Sequence, residues 1–110
     1  MHEGLSNQNE NYALKLFDSL SAKEKIKAIL AASAQPISQE LMFDLSGVSE
    51  ESIHKDELEA ILNDSEIVRS AGEDGEVFQM SEEGRKELFG RVDEQSVHAH
   101  IADNLMKDMF

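Results

Sequence analysis

One proline, a few glycines and a set of well-placed serines cut this chain into short pieces. Pro36 cannot continue a helix, and it biases Gln35 towards an extended backbone. Gly47 supplies the stop that helices favour at their C-terminus. Ala71-Gly-Glu-Asp-Gly75 is turn chemistry between two β-prone runs. After each break a serine stands ready to cap the next helix: Ser38, Ser49 and Ser81. A chain punctuated in this way folds as several short helices and a hairpin around one core.

The apolar spacing fills in the elements. Leu14, Leu16, Phe17 and Leu20 suggest a short leading helix over 12–19. Ser21-Ala-Lys-Glu24 is a capping-box pattern: the Ser21 hydroxyl accepts from the Glu24 N–H and Glu24 reaches back. It opens a helix over Ala22–Ala34, with Ile26, Ile29, Leu30 and Ser33 on one face and Lys23, Lys25 and Lys27 on the other. A second helix, Gln39–Ser46, is expected to bury Leu41 and Leu45, with Met42 beside them. A third, Glu50–Asn63, has Ser49 as its cap, Glu50 and Glu51 in its first turn where the helix dipole favours them, and Ile53, Leu58, Ile61 and Leu62 inward. Glu66–Ser70 and Glu76–Met80 read as hairpin strands. Helix Glu82–Phe89 comes next and ends or kinks at Gly90. A last helix, Glu94–Met109, carries Val97, Ile101 and Leu105 at spacing four.

At 110 residues the chain has room for one domain. It has no cysteine, which excludes disulfides, thiolate zinc sites and a cysteine nucleophile and fits a reducing compartment. No apolar run approaches the roughly 18 residues of a membrane span. Residues 1–11 lack the basic start and apolar core of a signal peptide and are expected to be a disordered lead. The expected location is therefore cytoplasmic, and the expected organisation a domain over 12–90 with a C-terminal helical segment over 91–110. That segment either folds back on Leu14, Phe17 and Leu20 or docks on a partner.

The net charge is −13, unevenly spread. Residues 1–34 carry four acids and four bases. Residues 35–66 carry nine acids against Lys55 alone, a net −8, and residues 67–110 carry ten acids against five bases. A phosphate backbone is repelled by such a middle third.

The order helix, helix, turn, helix, hairpin, helix resembles a winged helix-turn-helix, which implies a mainly α (α+β) fold with a three-helix core, a β-hairpin wing and additional C-terminal helices. The resemblance rests on Pro36-Ile-Ser before the second helix, on Leu41…Leu45-Ser-Gly-Val-Ser-Glu50 for the turn, on Leu58…Leu62 for the third helix, and on Val77-Phe-Gln-Met-Ser-Glu-Glu-Gly-Arg-Lys-Glu-Leu88 for the wing strand and the helix after it. It covers about residues 20–90 and is similar to the pattern of winged-helix transcriptional regulators. Farther on, Val97-His98-Ala-His100-Ile101-Ala102-Asp-Asn-Leu105 is similar to the segment after the winged helix in STAND-class signalling NTPases. That class often places a histidine just past the wing, where this chain has Gln79-Met80-Ser81-Glu82. A glycine-rich phosphate loop is also lacking, so the resemblance implies at most the winged-helix fragment of such an enzyme.

Chemistry-bearing patterns are sparse. His98 and His100 point about 200° apart on a helix, so one metal cannot take both. One imidazole is expected at the edge of the packed face and the other in water, with His98 the candidate for titration near neutral pH. Asp64-Ser-Glu and Glu73-Asp-Gly-Glu76 lack the 12-residue loop of an EF-hand. No carboxylate is placed in an apolar pocket by the pattern, and the serines fall where caps and turns belong. Neither an enzyme nor a cofactor is expected.

The function expected is a non-catalytic, acidic protein-interaction or regulatory module. Its partner would be a protein, with a basic surface the natural complement, contacted by Glu50, Glu51, Glu57, Glu59, Glu73 and Asp74. The apolar stripe Val97, Ile101 and Leu105 is a second candidate contact, for a partner or for a homodimer. The alternative is a DNA-binding regulator domain touching phosphate through Lys55, Arg69, Arg85 and Lys86. Local pairing of Lys55 and Arg69 with Glu51, Glu59 or Glu66 is the competing reading.

Overall fold

Ser21, Ser38 and Ser81 each accept a hydrogen bond from the backbone N–H three residues on, and each begins a helix. A computed structural model describes residues 12–73 and 75–109, with side chains to residue 106. The expected lead over 1–11, Asp74 and Phe110 lie outside the described residues. In chain order the elements are a short helix α1 (12–18), α2 (Ala22–Ala32), strand β1 (Ile37–Ser38) and α3 (Gln39–Ser46). A single 3₁₀ turn (Glu50–Ser52) then leads to α4 (Lys55–Leu62), β2 (Ile67–Gly72), β3 (Gly75–Met80), α5 (Glu82–Phe89) and α6 (Glu94–Met109). The fold is helix-rich α+β. No helix among the described residues is long and apolar enough to cross a membrane.

β2 and β3 form an antiparallel hairpin in which Ile67 faces Met80 and Arg69 faces Phe78. The sheet has a third strand beyond the expected hairpin. Ile37 and Ser38, just past Pro36, pair antiparallel with Phe78 and Val77 and make a sheet of order β1-β3-β2. β1 thus covers the second edge of β3.

α2 lies at the centre, touching α3, α4, α5, α6 and β3. All six residues from Ile26 to Ala31 are buried. Phe17, Met42, Phe43, Leu58, Leu62, Phe78, Leu88 and Val97 pack around them. Lys27 therefore does not take the expected place on a solvent face, because a helix surrounded on every side has no such face along its middle.

The third helix is broken. Ile53 is extended (φ −115°, ψ 134°) and separates the 3₁₀ turn from α4, whose N-cap is His54. In one continuous helix Ile53 would lie about 140° round from Leu58 and about 180° from Leu62. Breaking the helix turns Ile53 into the core, where it is buried with both. Glu50 and Glu51 therefore lie outside α4, and Asp56 and Glu57 take its first turn. Ser49 makes no side-chain cap. α3 is also rotated from the expected phase: Met42, Phe43 and Ser46 point inward, Leu45 is half-buried and Leu41 is exposed.

Candidate interaction face

α4 stands between two hollows. On one side, Ser38, Gln39 and Glu40 of the β1–α3 junction, Glu59 and Leu62 of α4, and Arg69, Gly75, Glu76 and Phe78 of the hairpin enclose about 540 Å³. Three carboxylates and one arginine line it. The arginine is already occupied: its Nη2 lies 2.7 Å from Glu76 Oε2, and its Nη1 donates to Asn63 Oδ1 at 2.8 Å. The guanidinium also sits 5.4 Å from the centre of the Phe78 ring. Arg69 is thus paired locally, with Glu76 rather than with the acids the sequence suggested. On the other side of α4, Ser21, Ala22, Lys23, Ile53, Glu57, Ala60 and Ile61 line a more apolar hollow of about 350 Å³.

Glu50, Glu51, Glu57, Glu59 and Glu73 are all exposed. Among the described residues none of them is in an ion pair, and Lys55 at the start of α4 is exposed and likewise without one. Arg85 and Lys86 are not part of either hollow beside α4. They line a separate one with Glu82, Phe89 and Glu94, and Arg85 lies 4.0 Å from Glu94. The structure therefore does not gather the four candidate phosphate contacts on one face.

The α6 stripe divides along its length. Val97 is wholly buried in the chain's own core, Ile101 packs against that core, and Leu105 and Met106 are exposed. Val97 is thus used within the fold and is not available to a partner. Leu14, Ala99, Ala102, Asp103 and Met106 line a hollow of about 170 Å³ between α1 and α6.

Two polar clusters escape the sequence pattern. Lys27 Nζ lies 2.9 Å from Asp64 and 3.7 Å from Glu66, with the lysine side chain 6% exposed. The Lys27 hydrogen bond holds the Asp64 carboxyl below its ordinary range, helped by the Glu66 N–H. Glu66 moves the other way. Its hydrogen bond to the Glu87 carboxyl raises it first, then burial and the Glu87 charge. The only clue in the sequence is a lysine amid apolar helix residues.

The second cluster is His100, stacked on Phe17 with ring centroids 3.9 Å apart. Its Nε2 lies 2.9 Å from the Leu45 carbonyl, which can only accept, so Nε2 carries the proton. Burial holds the imidazole below its usual value, opposed by that hydrogen bond and by Asp18. Asn104 donates to the carbonyls of Asp44 (2.7 Å) and Leu45 (3.1 Å). Two side chains of α6 thus satisfy carbonyls left free at the end of α3. His98 is exposed and lies 3.2 Å from Glu94.

No family model, curated protein or solved structure matches the chain.

Proposed function

We propose that this chain is a winged helix-turn-helix module that has no catalytic role and docks a protein with a basic surface through α4, the 3₁₀ turn and the hairpin. The element order α2–β1–α3–α4–β2–β3, with a three-stranded antiparallel sheet, supports the winged-helix reading. The observation that carries the functional reading is the state of Arg69. Among the described residues it is the one base lining the hollow between α4 and the hairpin, and it is consumed by Glu76 and Asn63, leaving Glu40 and Glu59 without compensation there. A phosphate chain laid along α4 would meet unpaired carboxylates on both the helix and the hairpin turn. A lysine- or arginine-rich surface would meet complementary charge. Fluorescence polarisation with random duplex DNA at low salt tests this. No binding is expected, and micromolar binding that weakens steeply with added salt would reverse the reading.

A further inference from the structure

We infer that the apolar hollow between α2 and α4 is an anchor slot for one branched aliphatic side chain, presented by a lysine- or arginine-rich segment of the partner protein. The inference rests on the proposed acidic docking face and specifies the partner. The slot exists because both walls carry small residues. Ala22 stands on α2 and Ala60 on α4, and each leaves open the space a larger side chain would occupy. Beneath them, Ile53 and Ile61 belong to the buried core and form an apolar floor. Ile53 reaches the slot from the extended residue just before α4.

Charge selects the occupant. Glu57 lines the slot, Asp56 stands beside it in the first turn of α4, and Glu50 and Glu51 lie on the segment leading into Ile53. All four are exposed, and among the described residues none is in an ion pair. Lys23 lines the slot opposite Glu57 and Lys55 precedes Asp56, so four acids against two bases leave the surroundings net negative. An acidic or neutral segment would gain only the anchor contact. A basic one gains the anchor and several complementary charges, so the charged rim guides approach and the buried apolar residue adds affinity.

The test uses the full chain and two fluorescein-labelled peptides, each a run of lysines interrupted once, by leucine in one and alanine in the other. The leucine peptide is expected to bind roughly tenfold more tightly, the scale set by burying one such side chain. Ala60→Phe, which fills the slot from an exposed helix position, is expected to make the two peptides equal while leaving both bound. In the unchanged protein, the leucine peptide alone is expected to shift the NMR methyl signals of Ile53 and Ile61, a readout that does not depend on the variant folding. Equal affinity for both peptides in the unchanged protein would overturn the slot and leave the acidic face standing. A leucine preference that survives in folded Ala60→Phe, with Ile53 and Ile61 unmoved, would also overturn it. Failure of either peptide to bind at low salt would overturn the acidic face itself, and the slot with it.

Discussion

Arg69 of β2 and Glu76 of β3 meet across the hairpin at 2.7 Å, and this pair turns a cation of the hairpin inward on its own fold. A hairpin that contacts phosphate needs such a cation free. Here the guanidinium has a carboxylate, an amide oxygen and an aromatic face around it. Glu76→Gln is expected to cost about 0.5 kcal/mol in denaturant unfolding, the scale of a solvent-exposed pair. It is not expected to create affinity for duplex DNA, because Glu40 and Glu59 still line the hollow. Salt-sensitive DNA binding by this single variant would show that Glu76 alone had masked a phosphate site.

Lys27 gives a larger effect. Lys27→Met keeps most of the buried stem and removes the charge that Asp64 and Glu66 face. The expected loss near neutral pH is about 2–3 kcal/mol, at the lower end for a broken buried pair because both carboxylates are partly wet. Asp64 has a depressed folded value, so its pairing contributes fully above the ordinary 3.8 and is lost as pH falls through the folded value. The gap between wild type and variant should therefore narrow on acidification below about pH 4. Urea midpoints at several pH values measure it, and a gap independent of pH would contradict the ion-pair account.

His100 gives a dependence at milder acidity. Its folded value lies below the ordinary 6.5, so the unfolded chain takes up the proton first as pH falls. The stabilisation is complete above the unfolded value and is lost as pH drops towards the folded one. The groups around it pull in different directions: Asp18 favours the charged imidazole and Lys25 opposes it. Stability of the wild type should fall more steeply than that of His100→Gln between about pH 7.5 and about pH 5.5. Parallel slopes would remove His100 as the responsible group.

Gly84 shows where local preference and packing disagree. Alanine is favoured over glycine inside a helix by about 1 kcal/mol. Yet a Cβ at Gly84 would stand 2.8 Å from the Glu66 Cβ and 3.1 Å from both Met80 Cγ and Ser81 Oγ. The Glu66 Cβ cannot yield without moving backbone, so α5 would have to lift off the hairpin. Gly84→Ala is expected to destabilise by about 1 kcal/mol or more, within the usual range for overpacking. A rise in melting temperature would show that α5 is free to shift.

Much of the local structure is legible because it is written in short-range chemistry. Ser38 and Gly47 bound α3 at the residues expected, with Gly47 left-handed at φ 75°. Ser81 caps α5 and Gly90 ends it. The turn between two β-prone runs makes the hairpin. The features that escape depend on neighbours distant in sequence. The burial of Lys27 requires α2 to be surrounded, and nothing within its own periodicity announces that. The break at Ile53 comes from a core that pulls this residue inward against the helical phase. β1 exists only because β3 offers an edge beside Ile37. His100 rather than His98 is the constrained imidazole because Phe17 lies 83 positions earlier in the chain and stacks on it. For the candidate face, the acidic residues are visible in the sequence. The pairing of Arg69 with Glu76, the place of Glu40 and the apolar slot are not, since each is assembled from separate elements.

The face built on α4 and its neighbours is proposed to select basic protein surface over nucleic acid. The most direct measurement is a competition at low salt, with a labelled oligolysine peptide titrated against the wild type and against a variant with Glu51, Glu57 and Glu59 changed to lysine. The wild type is expected to bind the peptide, unlabelled duplex DNA is expected not to displace it by binding the protein, and the variant is expected to lose peptide binding while staying folded. Undiminished peptide binding by the folded variant, or tight association of the wild-type chain with the duplex itself, would contradict it.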